Sequence, residues 1–409
     1  MKAPTPTIEP CRSEVSGRQL RVAFLTPLPT PYRQPLLERL VATADADVSV
    51  YYFSATESDR SWHVPVPAGP RFRVLTGKSL AFMGKKSFIN HWNPSLFREL
   101  DNGDFDLVVV PGYALMSSQI AITWAWMRRK PYVISSESHL SEPRSWLRRA
   151  VKEPLVRLVV SRAAACLATG TLSKEYLCHY GARPERVFFF PNTPDVDWFI
   201  HRSDELRPSR SELRRKWNVP DGPTVIFVGR LIHVKGVDVL MKAFAEIIRQ
   251  LPAAQLLIVG DGPEQDSLRA MANELTVGDH VHFLGFRQGA DLVELYVCAD
   301  VFCLPSRHEP WGVVVNEAAA CGLPLVVSER VGAAPDLVRS GSNGHVVPVG
   351  NVGQHARVLT EILQQREKQE EFRRVSRQHA VAWSYEKAVD EFNRMAGLVS
   401  EEGRRRSKP

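Results

Sequence analysis

Short apolar runs alternate with amphipathic stretches along the chain, a pattern that predicts β-strands separated by helices. In the first half, apolar runs fall at residues 20–26, 48–53, 107–110, 132–135, 166–168 and 187–190. Helical patterns lie between most of them, at residues 34–42, 96–100, 117–128, 146–160 and 173–180. Because strands that alternate with helices form parallel sheets, this half predicts an α/β domain.

A second series of the same kind follows. Its apolar runs fall at residues 224–228, 255–259, 280–284, 301–304, 325–327 and 345–347, with helical patterns at residues 236–250, 264–274, 291–299, 312–321 and 333–339. The stretch 191–223, rich in Pro, Asp and Arg and with one helical pattern at residues 210–217, is interpreted as a linker. Since 409 residues exceed one ordinary core, we expect two doubly wound domains, at residues 19–200 and 201–382.

Composition places the chain among globular proteins, with 44% apolar residues. It has no run of about 18 apolar residues, so no transmembrane helix is expected. Residues 1–18 are rich in Pro, Thr and Ser and lack the apolar core of a signal peptide, which indicates a disordered leader. Six cysteines without metal-ligand spacing favour reduced thiols in a cytoplasmic protein.

The net charge of +7 is concentrated in two places. The stretch from Arg144 to Arg162 carries Arg and Lys beside Trp, Leu and Val, which is typical of a helix on an anionic membrane surface. The alternative is the charged outer face of an ordinary crossover helix. The basic tail, residues 401–409, is expected to be disordered. No known nucleic-acid module accompanies these charges, so no nucleic-acid partner is expected.

Glu309 and Glu317 lie on either side of the start of a predicted helix. Glu309 follows the apolar run 301–304 and precedes a Pro-Trp-Gly turn, and Glu317 lies about two helical turns further on. The helix N-terminus between them offers N–H groups and a positive dipole end, which suit a phosphate. One carboxylate is then placed for a group beyond the phosphates and the other for a ribose. The alternative is a solvated loop glutamate and an ordinary helical one.

Two cations occupy the loop after the strand predicted at residues 224–228. Arg230 and Lys235 flank this strand-to-helix loop, which is the position for a pair that clamps a diphosphate. Neither a Walker A sequence nor a Gly-x-Gly-x-x-Gly fingerprint is present. Asp261 in the next turn, and Asp195 with Asp197 in the linker, are interpreted as turn and helix-capping residues. No metal site is therefore expected.

The order of these motifs resembles that of the retaining glycosyltransferases of family 4. The resemblance rests on Gly229-Arg230 with Lys235-Gly236, Gly260-Asp261-Gly262-Pro263, Gly285-Phe286, and Glu309-Pro310-Trp311-Gly312 with Glu317-Ala318. It covers most of the second half; the first half matches more loosely, through its strand order and Pro191-Asn192. It implies the GT-B fold of two facing Rossmann-like domains, with a final helix at about residues 383–400 that crosses back to complete the N-terminal domain.

The resemblance also implies a function. The reaction would be metal-independent, retaining transfer of a hexose from a nucleotide-diphosphate sugar to a glycan or lipid-linked acceptor, in polysaccharide or glycolipid synthesis. No cofactor beyond the donor is implied. Arg230 and Lys235 would bind the donor diphosphate, Glu309 the transferred sugar and Glu317 the ribose. The remaining implied site residues are His139 near the reacting centre, backbone groups at Gly312, Val313 and Val314, and the donor-side residues Gly262 and Phe286.

Two departures from the family pattern stand out. A proline-rich loop at residues 27–31 replaces the usual Gly-Gly pair and cannot offer the same backbone N–H groups, so either Arg33 substitutes or the loop shapes an acceptor site. The usual Gly-Gly-x-x-Glu sequence becomes Gly332-Ala-Ala-Pro-Asp336, which keeps one glycine and an acidic residue.

Two other functions fit the same fold: a nucleotide-sugar epimerase and a non-catalytic glycan-binding or scaffolding protein. The four residues Arg230, Lys235, Glu309 and Glu317 are all intact and favour a transferase. Lys235→Ala is expected to abolish transfer. Its thermal stability is expected to change little, because the Lys235 loop is expected to be exposed. The protein is expected to be cytoplasmic, in peripheral contact with the inner face of a membrane.

Overall fold

The computed structural model describes residues 18–56, 64–81, 89–140 and 146–407. Most of the expected leader, Arg144 of the basic stretch and the last two residues of the tail lie outside these ranges.

The first domain is built on a parallel sheet. Its strands are β1 (Arg21–Thr26), β2 (Asp47–Tyr52), β3 (Phe72–Val74), β4 (Lys78–Ala81), β5 (Ile89–Trp92), β6 (Leu107–Pro111), β7 (Tyr132–Ser136), β8 (Ala165–Ala168) and β9 (Val187–Phe189). Within the described ranges, seven of them pair in the order β3-β2-β1-β6-β7-β8-β9, and β4 and β5 form a separate antiparallel pair. Its helices are α1 (Arg33–Thr43), α2 (Leu96–Asn102), α3 (Met116–Arg128), α4 (Trp146–Ser161) and α5 (Thr171–His179).

The second domain repeats this plan. It begins with α6 (Val196–Leu206) and α7 (Arg210–Lys216), and its strands are β10 (Thr224–Val228), β11 (Gln255–Val259), β12 (Val281–Gly285), β13 (Val301–Leu304), β14 (Leu325–Ser328) and β15 (Gly344–Val347). All pair in parallel, in the order β12-β11-β10-β13-β14-β15. Its helices are α8 (Val237–Gln250), α9 (Gln265–Glu274), α10 (Ala290–Cys298), α11 (Val313–Ala320), α12 (Ala334–Leu337), α13 (Val352–Gln364) and α14 (Gln369–Val381).

The strand order determines where a ligand binds. In each sheet the winding reverses beside the first strand, between β1 and β6 and between β10 and β13. Loops that leave the carboxyl ends of neighbouring strands at such a reversal diverge and border a crevice. The strands β8, β10, β11, β13 and β14 are buried along their whole length, because helices cover both faces of each sheet.

Most predicted strands and helices are confirmed, with shifts of one or two residues at their ends. Several elements were not predicted: β3, the β4–β5 pair, α6, α13 and α14. The prediction that residues 191–223 form a linker with a single helix is wrong, because Val196 and Phe199 of α6 pack in the core of the second domain. Phe190 packs in the first domain, so the chain crosses between residues 190 and 196 rather than after residue 200.

The last helix, α15 (Tyr385–Ser407), crosses back to the first domain. Its residues Ala388, Phe392, Met395 and Val399 join the core on one face of the first sheet. The helix continues through Arg404, Arg405 and Arg406, so the expectation of a disordered tail is wrong for these residues. None of the helices in the described ranges is both long and apolar enough to cross a membrane.

We expect Phe392→Ala to destabilise the first domain by about 3–5 kcal/mol, the usual cost of truncating a buried aromatic side chain. Phe392 is fully buried and lies 6.4 Å from the ring of Phe24 and 6.3 Å from that of Phe190. Urea denaturation measures the loss, with Trp198→Ala, at a residue that is 39% exposed, as the control. An unchanged midpoint for Phe392→Ala would show that α15 is not part of this core.

Candidate active site

Lys235 and Glu309 form an ion pair at the carboxyl ends of neighbouring strands. Lys235 ends the short 3-10 turn after β10, and Glu309 lies in the loop after β13. The Lys235 ammonium contacts a carboxylate oxygen of Glu309, and only 17% and 12% of the two side chains are exposed. The expectation of an exposed loop is therefore wrong for the Lys235 side chain, which its partner carboxylate holds against the domain, although His233 of the same loop is exposed.

Arg307 ties the two loops of this pair together. Its guanidinium donates two hydrogen bonds of 2.7 Å to the carboxylate of Asp238 in the first turn of α8, and a third of 2.8 Å to the His233 carbonyl. Its backbone N–H donates to the carbonyl of Val234, at 2.7 Å. Bidentate Arg–carboxylate contacts fix orientation as well as distance. The Lys235 loop is therefore held against the Glu309 loop, although nothing in the sequence drew attention to Arg307.

The Glu309 loop is also tied to the loop after β14. The Glu309 N–H donates to the Arg330 carbonyl at 3.0 Å, and the Glu309 carbonyl accepts from the Gly332 N–H at 2.9 Å. Gly312 ends the loop with φ +96°, and a Cβ there would lie 3.2 Å from the Glu309 Cγ. A glycine is needed at this position both for the left-handed backbone and for the approach of the Glu309 side chain.

Glu317 lies one turn into α11, whose first residues are Val313 and Val314. The hydroxyl of the buried Tyr296 donates a hydrogen bond of 3.0 Å to its carboxylate. Desolvation raises the pKa of Glu317 to about 7, and the bond from Tyr296 acts in the opposite direction. The first N–H groups of a helix have no partner within it, so those at the start of α11 are available donors near Glu309.

His139 brings the first domain to the same place. It follows β7, is buried, and its Nε2 lies 3.3 Å from the backbone carbonyl oxygen of Glu309. Its ring centroid is 4.6 Å from that of His308. The structure therefore brings together Lys235, Glu309 and His139 from the two domains, and adds His308, which sequence reasoning did not single out.

Arg33 lies at the start of α1 and is buried. Its guanidinium donates to Glu137, at 3.2 Å, two residues before His139. This contact gives Arg33 a role in supporting the loop that carries His139.

The other predicted residues lie along one edge of the second sheet. Arg230 lies two residues after β10 and is exposed, Gly262 follows β11, and Phe286 follows β12 with part of its ring exposed. Their loops are joined by hydrogen bonds from the Leu231 N–H to the Asp261 carbonyl and from the Gly260 N–H to the Gly285 carbonyl. Asp195 accepts a bond from the Trp198 N–H and caps α6, as predicted. Over the residues that the structure describes, no cluster of three or more His, Cys, Asp or Glu is arranged to hold a metal.

Comparison with known proteins identifies the family. The glycosyl transferases group 1 profile matches residues 209–379, and the glycosyl transferase 4-like domain profile matches residues 5–193. The chain belongs to the group 1, family 4 type glycosyltransferases. The two profiles fall on the two domains of this chain, which have the GT-B fold.

Curated proteins with assigned activities match part of this chain. The chain is 35% identical over 185 residues to the GDP-mannose-dependent alpha-(1-6)-phosphatidylinositol monomannoside mannosyltransferase of Mycobacterium tuberculosis, covering 43% of this chain and 46% of that enzyme. It is 32% identical over 250 residues to a D-inositol 3-phosphate glycosyltransferase of Segniliparus rotundus, covering 59% of this chain and 54% of the relative. The chain thus spans about half the length of the curated relatives it matches.

A solved GT-B structure shows the same fold. The crystal structure of Anabaena Alr3699/HepE in complex with UDP and glucose matches with a TM-score of 0.69 at 20% identity, over 93% of this chain and 100% of that one.

We expect Lys235→Ala to lower the free energy of unfolding by about 1–3 kcal/mol, because it leaves the nearly buried Glu309 carboxylate without its cation. Adding Glu309→Gln should restore most of this loss. Urea denaturation of the single and double variants measures both steps. The control is Arg202→Ala, which breaks an exposed ion pair with Glu205 and should cost at most about 1 kcal/mol. Equal losses in Lys235→Ala and Arg202→Ala would contradict the expectation.

Proposed function

We propose that this glycosyltransferase family member transfers a hexose from a nucleotide-diphosphate sugar to a glycan or lipid-linked acceptor, with retention of anomeric configuration and without a bound metal. The observation that carries the proposal is the Lys235–Glu309 pair at the start of α11, faced across the domain boundary by His139. A cation, a carboxylate and helix N–H groups close to one another support transfer from a diphosphate.

On the donor side, the diphosphate lies against Arg230, Lys235 and the N–H groups at Gly312, Val313 and Val314. Charge develops on the departing phosphate, and fixed donors in a water-poor site stabilise that charge most effectively. Glu317 holds the ribose, and the base lies between the turns at Gly262 and Phe286. Glu309 then holds hydroxyls of the transferred sugar, with its carboxylate oriented by Lys235.

Retention follows if the acceptor attacks the face that the diphosphate leaves. The bond from the anomeric carbon to the phosphate oxygen breaks, a bond from that carbon to the acceptor oxygen forms, and the acceptor proton passes to the departing phosphate. Arg230 and Lys235 supply the electrostatic stabilisation of the nucleotide product that a metal supplies in other enzymes. His139 lies beside the sugar, and Arg33 holds its loop through Glu137.

A lipid-linked acceptor is supported by one surface of the first domain. Leu155 and Leu158 of α4 are exposed, as is Arg162 just after the helix, and the Arg162 guanidinium lies 6.0 Å from the centroid of the exposed Trp126 ring near the end of α3. Met127 beside it is 65% exposed. Apolar side chains interspersed with arginine suit the interface of an anionic membrane better than a purely charged outer face.

The function is tested with a panel of nucleotide sugars, including GDP-mannose and UDP-glucose, with phosphatidylinositol mannosides, D-inositol 3-phosphate and polyprenyl-linked sugars as acceptors. Mass spectrometry of the products reads out transfer. We expect one donor and acceptor pair to give a product whose newly formed bond has the anomeric configuration of the donor, with Lys235→Ala at least about 100-fold slower. Isomerised donor without transfer would indicate the epimerase instead. Absence of both turnover and nucleotide binding would contradict the proposal.

The raised pKa of Glu317 predicts a pH dependence of donor binding. Below about pH 7 the free carboxyl is protonated and accepts fewer ribose hydrogen bonds, so affinity should rise up to about tenfold between pH 6 and 8. Calorimetry with a nucleotide sugar measures it. Glu317→Gln should bind more weakly, with no such rise. Tyr296→Phe, which removes the bond that lowers this pKa, should move the rise to higher pH. The same rise in Glu317→Gln would assign it to another group.

The exposed surface of α3 and α4 predicts binding to anionic vesicles. We expect the chain to float with vesicles of phosphatidylglycerol and phosphatidylcholine at low salt, and less at high salt, because screening weakens the arginine contribution. The double change Leu155→Ser and Leu158→Ser should reduce flotation. Val381→Ser, at a similarly exposed position on α14, is the control. Equal flotation of all three proteins, or none at low salt, would contradict this surface as the docking site.

A further inference from the structure

The two domains are joined by a helix cap that spans the cleft. Helix α5 of the first domain begins after Gly170, which has no side chain to cap it. The carboxylate of Asp336, from α12 of the second domain, lies at that position instead. It accepts a 2.9 Å hydrogen bond from the Thr171 N–H and a 2.5 Å bond from the Thr171 hydroxyl. A carboxylate at a helix N-terminus satisfies free N–H groups and complements the helix dipole.

Beside this cap, the backbone of the first domain lies close to side chains of the second domain. A Cβ on Gly170 would lie 2.2 Å from the Trp311 Cζ3 atom and 2.6 Å from the Asp336 Oδ2 atom. The φ angle of Gly170 is −173°, which any residue adopts, so only the facing domain excludes a side chain there. The indole of Trp311 continues the contact through Trp383 to Phe189 of the first domain, with centroid distances of 5.2 and 5.3 Å.

Two backbone hydrogen bonds connect the cap to the candidate site. The Trp311 carbonyl accepts from the Ala333 N–H at 2.9 Å, and the Ala333 carbonyl accepts from the Asp336 N–H at 3.2 Å. Trp311 lies two residues after Glu309. The segment that carries Glu309 therefore contacts the first domain at two points, at His139 through the Glu309 carbonyl and at Gly170 through the Trp311 ring.

We propose that Asp336 is a positioning residue that latches the two domains closed, so that His139 faces the Lys235–Glu309 pair. Its partner is the N-terminus of α5, and its closed state requires glycine at position 170. Opening the latch leaves nucleotide binding by the second domain intact and separates the sugar from the first domain. The consequence for transfer rests on the proposed function; the consequence for domain closure does not.

The test uses the full chain with Asp336→Ala, Gly170→Ala and Thr171→Val. Hydrogen exchange of the first turn of α5 reads the latch directly, because its N–H groups gain access to water when Asp336 withdraws. We expect exchange there to rise about 10- to 100-fold in Asp336→Ala and Gly170→Ala, and less in Thr171→Val, which keeps the bond to the backbone N–H. Asp279→Ala, at an exposed residue before β12, and Gly353→Ala, where a Cβ meets open space, are the matched controls.

Two further measurements separate a latch from a loss of folding. Nucleotide affinity should stay at the wild-type value in Asp336→Ala and Gly170→Ala, while the turnover number for transfer falls by a similar factor of about 10 to 100. A weaker nucleotide affinity that parallels the loss of turnover would assign Asp336 a structural role in the second domain and overturn the proposal. If Asp336→Ala does not fold, Gly170→Ala alone decides, since its change lies in the first domain.

The latch proposal would also be overturned if the first turn of α5 exchanged at the wild-type rate in both Asp336→Ala and Gly170→Ala. If the wild-type chain transfers no sugar, the proposed function fails, and the exchange measurement still decides whether Asp336 holds the domains together.

Discussion

The candidate site depends on the ion pair between Lys235 and Glu309. These residues lie in the loops that leave β10 and β13, neighbouring strands at the point where the second sheet reverses its winding. Opposite charges that are mostly removed from water stabilise each other only when their backbones are held in place, since desolvation otherwise exceeds the attraction. Arg307 supplies that support by binding Asp238 and the loop that precedes Lys235. The ion pair between Arg307 and Asp238 thus holds the two loops so that the ion pair between Lys235 and Glu309 can form.

The same loop also joins the domains. Glu309 offers its backbone carbonyl to His139, Trp311 packs against Gly170, and Asp336 caps α5. Each of these contacts pairs a residue of the second domain with one of the first. The position of His139 relative to the Lys235–Glu309 pair is therefore a property of domain closure. Helix α15 adds a permanent connection, because it leaves the second domain and buries Phe392 in the first.

The strands whose bounds could be predicted from the sequence are those that are buried on both faces. The bounds of β10, β11 and β13 were predicted without error, because strands covered on both faces are continuously apolar and end at a Gly or Pro signal. The edge strand β3 and the β4–β5 pair were missed because they are short, with three residues in β3 and four in each of β4 and β5. Helix α6 was missed because only Val196, Phe199 and a few neighbours face the core, within a stretch rich in charge and proline.

The sequence by itself determined the two α/β domains, the order of the motifs, the strand ends that Arg230, Lys235 and Glu309 follow, and the helix that carries Glu317. Those features follow from local apolar patterns and from spacing along the chain. Only the tertiary structure decided that Lys235 is drawn in by Glu309, that Tyr296 binds Glu317, and that Asp336 caps a helix of the other domain. Each of these contacts joins residues from different elements. Their formation depends on how packed loops and domains meet, which no local pattern encodes.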